Sequence, residues 1–125
     1  SLDALVGGWS WLRGPDPAAI GEAIRVLRPG GRLLVVHDYG RDAVAALRPA
    51  DAPEYGPWSR RDAPFLRGGF RIHVVHCFWT FGSIDEVQAL LHDAFGGAGD
   101  ALAARLRRPR VAWNVAIYHR TRAAV

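Results

Sequence analysis

A histidine followed at once by an aspartate, His37-Asp38, closes the apolar run Leu33-Leu34-Val35-Val36, and Tyr39-Gly40 comes directly after it. An imidazole beside a carboxylate is the pairing that a general base and its orienting group require. The same two side chains also suit hydrogen bonds that merely cap a strand end. Earlier in the chain Trp9 and Trp11 sit in Gly7-Gly8-Trp9-Ser10-Trp11. Their ring faces can stack on a ligand or attract a cation, and they serve equally well as core. Arg60 and Arg61 lie in a Pro-rich stretch from Pro49 to Arg67 that also carries Tyr55 and Trp58. A long irregular insertion of this kind is often a lid or binding element, and its two arginines fit an acidic substrate or stand as plain solvated cations.

A fourth group, His73, His76 and Cys77, invites a metal reading that its spacing disfavours. In a regular strand His73 and Cys77 share one face while His76 points to the other. Three convergent ligands would need a bulge, and the further spacings of a structural zinc site are missing from the sequence. No metal is expected. Cys77 lacks a nucleophile signature and reads as a small core residue among apolar strand neighbours.

These residues must be placed by a chain of 125 residues, half of them hydrophobic and 22% charged, with one Cys and no Met. Such a composition describes an ordinary globular domain and excludes a disordered, collagenous or disulfide-stapled chain. A reducing compartment, the cytoplasm, is the default expectation. The longest apolar runs fall far short of the roughly 20 residues a membrane helix needs, so no membrane partner is expected. All the cationic residues are Arg, and the net charge of +4 is spread among interspersed acids. Nucleic acid is therefore not the expected partner, because its binders cluster their positive charge. The start, Ser1-Leu2-Asp3-Ala4-Leu5-Val6, runs at once into apolar residues without a Met. Either it has been processed or the sequence begins mid-protein, with Ser1-Leu2 as an added scar.

The local signals place the elements in turn. An apolar run ending at Gly7-Gly8 reads as a strand. Asp16-Pro17 supplies an N-cap and a first-position proline, and Ile20, Ala23, Ile24 and Leu27 form one helical stripe that Pro29-Gly30-Gly31 stops. Leu33 to Val36 then reads as an interior parallel strand covered on both faces. Arg41 to Arg48 makes a short helix, the Pro-rich loop follows with a helical turn between Ser59 and Leu66, and Gly68-Gly69 caps it. Phe70 to Phe81 is a second β-prone run. Ser83 with Glu86 is a capping box opening a helix with the stripe Val87, Leu90, Leu91 and Ala94. Gly96-Gly97-Ala98-Gly99 ends that helix in a surface turn, and Asp100 caps another to about Arg107. Val111 to His119 is the last strand, with Val111, Trp113, Val115 and Ile117 on one face. One α/β domain, whole or partial, with a mixed parallel and antiparallel sheet, accounts for residues 1–125.

The string Val26-Leu27-Arg28-Pro29-Gly30-Gly31-Arg32-Leu33 resembles the helix-to-strand passage of class I S-adenosylmethionine-dependent methyltransferases. On that resemblance, Asp3 to Trp11 is similar to the family's fourth strand, whose carboxyl end faces the methionine part of the cofactor. Gly69-Phe70 and the strand from Arg71 to Thr80 look like its sixth strand, and Val111 to Arg120 like its antiparallel seventh. The family's Gly-rich cofactor loop and its ribose-binding acid have no counterpart here, since Gly97-Ala98-Gly99 follows a helix rather than a strand. The chain thus resembles the C-terminal half of a Rossmann-like methyltransferase sheet.

The resemblance implies methyl transfer from S-adenosylmethionine to an unidentified small-molecule acceptor, with the fragment itself inactive if the Gly-rich half is required. Ligands of such sheets sit beyond the carboxyl ends of the strands. That places Gly7, Gly8 and Trp9 at the cofactor, His37 and Asp38 as base and orienter, and Trp11, Tyr39, Arg60 and Arg61 toward the acceptor. The alternative is a non-catalytic half-domain that forms a homodimer or scaffold, hiding the sheet edge at Asp3 to Val6.

Overall fold

The protein is seen in a computed structural model that describes residues 1–9, 16–48 and 55–124. Four strands, β1 (Leu2–Gly8), β2 (Leu27–Asp38), β3 (Arg71–Thr80) and β4 (Arg110–Thr121), form one sheet in the order β1-β2-β4-β3. Parallel β1 and β2 are joined through helix α1 (Pro17–Val26), whereas β4 runs antiparallel to β2. The sheet is α/β and mixed, as the local signals predict.

Helix α1 begins where its cap chemistry dictates. The Asp16 carboxylate accepts the Ala18 N–H at 3.1 Å, and Pro17 occupies the first turn, where its missing N–H costs nothing. At the other end the helix stops at Val26, earlier than the Pro-Gly-Gly turn alone would require, and Leu27 is already extended. The Pro-Gly-Gly turn therefore lies inside β2. Gly30 takes a φ of +79°, and a Cβ on Gly31 would stand 2.8 Å from the Arg28 carbonyl oxygen and 3.1 Å from those of Leu2 and Asp3. Only glycine fits so close to backbone. The same turn is clasped by β4's continuation, with Gly30 N–H donating to Arg122 O and Arg122 N–H to Gly31 O.

Within the chain two compact units are found, each with its own core. The first comprises Ser1–Tyr39, Glu54–Val75 and Val115–Val125; the second comprises Gly40–Pro53 and His76–Asn114. Both are assembled from separated segments, so no linker composition marks them.

In the first unit, Ile20 and Ala23 from α1 pack with Leu27, Leu33 and Val35 from β2 and with Phe65, Phe70 and Tyr118. Phe65 stacks on Tyr118 with ring centroids 4.4 Å apart and meets Phe70 edge-on at 5.3 Å. Phe65 belongs to the short helix α2 (Pro64–Arg67), the helical turn expected in the Pro-rich loop. Along β2 the residues facing this core are fully buried, while Leu34 and Val36 on the opposite face are only half-buried. The strand is interior by pairing yet incompletely covered on its second face, which corrects the expectation of burial on both.

In the second unit, Val44 and Leu47 from a 3-10 turn (Val44–Leu47) pack with Val87, Leu91, Leu102, Ala103 and Val111. Helix α3 (Ile84–Ala103) opens with the expected box: Glu86 N–H donates to Ser83 Oγ at 3.1 Å, while the Glu86 carboxylate accepts from Gly82 N–H at 2.8 Å. Its buried stripe is Val87 and Leu91; Leu90 and Ala94, expected in that stripe, are exposed because the helix presents a narrower face. A left-handed Gly96 (φ +56°) kinks α3, but the chain resumes its helix directly. Gly99 is consequently no surface turn: it is buried, and a Cβ there would lie 2.0 Å from the Leu91 carbonyl oxygen.

Strand β4 passes through both units, and its buried set changes parity on the way. Val111 joins the second core, whereas Ala116 and Tyr118 join the first. The single apolar face expected from Val111, Trp113, Val115 and Ile117 is not kept.

Candidate functional site

The carboxyl ends of β1 and β2 lie side by side, with Gly7 opposite Val35 and Gly8 opposite Val36. One residue further on, Trp9 N–H donates to Val36 O at 3.0 Å, extending the parallel ladder past the last glycine. Trp9 then turns the chain with a φ of +53°, the only described non-glycine residue with positive φ. For a bulky side chain that conformation costs on the order of 1–2 kcal/mol and persists only where surrounding contacts impose it. One such contact is clear: the indole Nε1–H donates to Asp38 Oδ1 at 2.7 Å. The carboxylate end of β2 is thereby fixed by the aromatic end of β1.

Asp38 is 7% exposed and Trp9 39% exposed, so the pair combines a nearly buried carboxylate with an accessible ring. A Cβ built on Gly8 would meet nothing within 4 Å, which leaves open space beside the pair. Negative charge with an open aromatic face is an arrangement that attracts a cationic group.

His37 is placed differently. Strand alternation sends it to the face opposite Asp38, the face of the first unit's core, and it is 0% exposed. Its ring stacks on Tyr55 (centroids 5.5 Å, planes 23° apart) and meets Trp58 edge-on at 5.1 Å. Tyr55 and Trp58 touch each other at 4.8 Å, and Trp58 leads on to Phe65 at 5.8 Å. The Pro-rich loop thus reaches β2 through its rings. Trp58 follows Tyr55 by three residues, and the 3-10 turn Gly56–Ser59, with Trp58 N–H donating to Tyr55 O, brings the two rings to one side.

Of the residues singled out by sequence, Gly7, Gly8, Trp9 and Asp38 come together at one strand end, with His37 buried behind them. Tyr39 is half-buried against the first core. Arg60 and Arg61 are exposed. Trp11 lies outside the described residues. The sequence marks Tyr55 and Trp58 only as occupants of a loop. The Tyr55-Gly-Pro-Trp58 spacing signals a turn that aligns two rings, but nothing local says that they meet His37.

A larger concavity, about 590 Å³, runs between α1 and α2. Its lining is apolar apart from Arg67 and Arg120 and contains no acid, base or nucleophile. Chemistry is therefore better placed at the strand ends than in this groove. Among the described residues no three His, Cys, Asp or Glu side chains converge on a metal position, and His76 Nδ1 lies 3.2 Å from the Asn114 amide oxygen. No helix among them is long and apolar enough to cross a membrane.

No protein-family model matches this sequence, and no curated protein matches it significantly.

Proposed function

We propose that the carboxyl ends of β1 and β2 hold the methionine end of S-adenosylmethionine in a methyltransferase site. The observation that carries the reading is the Trp9–Asp38 pair at the ends of two adjacent parallel strands, 2.7 Å from indole nitrogen to carboxylate. Ligands in open α/β sheets gather at such ends. The cofactor's methionine end bears an ammonium, a sulfonium and a carboxylate, and Asp38 beside an exposed indole matches its two cationic groups. The antiparallel setting of β4 against β2 also agrees with the family's seventh strand. The residues present fit this part of the cofactor: Gly8 leaves space, Trp9 offers its face, and Asp38 offers its charge.

The bound cofactor would supply an electrophilic methyl group. In this reading Asp38 anchors the cationic end, Trp9 orients Asp38 and lines the approach, and His37 acts as a positioning residue rather than as an exposed base. Its aromatic surroundings hold the end of β2 in place, and positioning is what an in-line methyl transfer demands most. The acceptor is a small molecule admitted beside the Pro-rich loop.

Calorimetric titration with S-adenosylmethionine and with its demethylated product tests the proposal. Saturable micromolar binding that Asp38→Asn weakens at least tenfold is expected. Absence of heat at millimolar ligand, or equal binding by Asp38→Asn, would overturn it.

A second reading, a non-catalytic module that self-associates, is favoured by one observation. β1 is a sheet edge whose Leu2 and Val6 are exposed, Val6 by 64%, and such edges recruit partners. Sedimentation showing a dimer that Val6→Lys dissociates would support it.

A further inference from the structure

The second unit carries a feature that the methyltransferase reading does not use. Between α3 and β4 the sequence runs Arg105-Leu106-Arg107-Arg108-Pro109-Arg110, four arginines in six residues without an intervening acid. All four are exposed, and none is ion-paired with a described residue. Together with Phe78 and Ala112 they border a shallow depression of about 310 Å³. No carboxylate lines it. The nearest acid in sequence to its lining, Asp42 beside Ala43, already accepts the Ala45 and Asn114 N–H groups.

The segment is also held in shape. Arg105 N–H donates to Leu102 O and Leu106 N–H to Ala103 O, Leu106 packs against the second core, Arg110 N–H donates to Arg108 O, and Pro109 O accepts from Phe81 N–H. A preformed cationic ridge loses less entropy on binding than a loose one. At its end the Arg110 guanidinium lies over the Phe78 ring, 4.2 Å from the centroid, although Phe78 is 45% exposed. A large ring left in water beneath a cation offers stacking surface beside the charge.

We propose that this ridge binds single-stranded nucleic acid, with phosphates on Arg105, Arg107 and Arg108 and a base stacked on the Phe78–Arg110 pair. Guanidinium forks match phosphate oxygens, and unpaired bases present the π-faces that a duplex conceals. A membrane surface is less well matched, because Phe78 lies along a strand beneath Arg110 rather than projecting as a wedge. The overall charge of +4 does not foretell this surface, since acids elsewhere in the chain cancel a charge that is locally concentrated.

Fluorescence anisotropy of the whole chain with a labelled oligouridine about a dozen nucleotides long tests the proposal, with duplex DNA and anionic phosphatidylserine vesicles as comparisons. Three phosphate contacts predict a log–log salt slope near −2.1, hence roughly twentyfold weaker binding at 200 than at 50 mM salt. Arg107→Ala/Arg108→Ala should flatten that slope by about 1.4. Phe78→Ala, an exposed change that leaves both cores intact, should weaken single-strand binding by roughly tenfold and leave duplex binding unaltered. The proposal is overturned if oligouridine does not bind at low salt, or if duplex binds as well as single strand. An unchanged slope in the double variant, or a preference for vesicles, overturns it too.

Discussion

The indole of Trp9 and the carboxylate of Asp38, 29 residues apart in sequence, share a 2.7 Å hydrogen bond at the ends of β1 and β2. The bond explains how a tryptophan is kept at a φ of +53°, and it gives a nearly buried carboxylate a fixed donor. Removing the donor while keeping an aromatic ring should expose its contribution. Trp9→Phe is expected to lower stability by about 1–2 kcal/mol, read as a lower urea midpoint. An unchanged midpoint would show that water serves Asp38 as well as the indole does.

Two glycines two residues apart should respond in opposite ways. Gly99→Ala forces a methyl group onto the Leu91 carbonyl and should cost about 3 kcal/mol or more. Gly97→Ala meets nothing within 4 Å on an exposed helical face and should be neutral or stabilising by up to about 1 kcal/mol. Thermal melts of both proteins check the pair; equal melting temperatures would contradict the close packing at Gly99.

Arg122 closes the carboxyl end of α1, its guanidinium donating to the carbonyls of Ile24, Arg25 and Leu27. The Arg25 carbonyl is among the acceptors a helix end leaves without intrahelical partners, while the Ile24 carbonyl also accepts the Leu27 N–H. Arg122→Ala should destabilise by about 1–2 kcal/mol, and Arg122→Lys should recover only part of that, because all three bonds come from Nη1 and a lysine side chain is one bond too short to put its ammonium there. Denaturant titration of both variants would show it. Full rescue by Lys would mean that charge, not geometry, is what α1 requires.

His92 Nδ1 lies 2.9 Å from Asp100 Oδ1 across the kink in α3. The hydrogen bond and charge of Asp100, with a smaller contribution from Asp93, raise the imidazole above its ordinary value. A raised histidine stabilises the folded state most fully below its unfolded value, near pH 6.5, and that stabilisation is lost as pH rises through the folded value. NMR titration should find His92 above 6.5 and Asp100→Asn should bring it down; a midpoint indifferent to Asp100→Asn would refute the pairing.

The fold was legible where cap chemistry acts within a few residues, and less so at Gly96 to Gly99, which α3 runs through. Asp16 and Pro17 start α1 because a carboxylate two residues ahead satisfies an N–H, and Ser83 with Glu86 opens α3 for the same reason. The candidate site was half legible. Strand ends bearing Gly7-Gly8-Trp9 and His37-Asp38 could be marked from the sequence, but the partners of His37 could not, since Tyr55 and Trp58 arrive from a loop whose path depends on packing against Phe65.

By itself, the sequence determined the four strands, the caps that open α1 and α3, and the Pro-Gly-Gly turn. Each follows from backbone torsion, capping or hydrophobic period, which act over one or two turns of chain. The helix expected from Asp100 to about Arg107 is absent because Asp100 lies inside α3. Only the tertiary structure decided that two cores form from interleaved segments, that β4 switches the side it buries, that Gly99 is packed against backbone, and that Trp9 binds Asp38 while His37 is enclosed by rings. These are relations between distant residues, and local propensity carries no information about them. They are set when strands pair and apolar faces find one another, because burial rewards whichever surfaces meet, wherever they lie in the sequence.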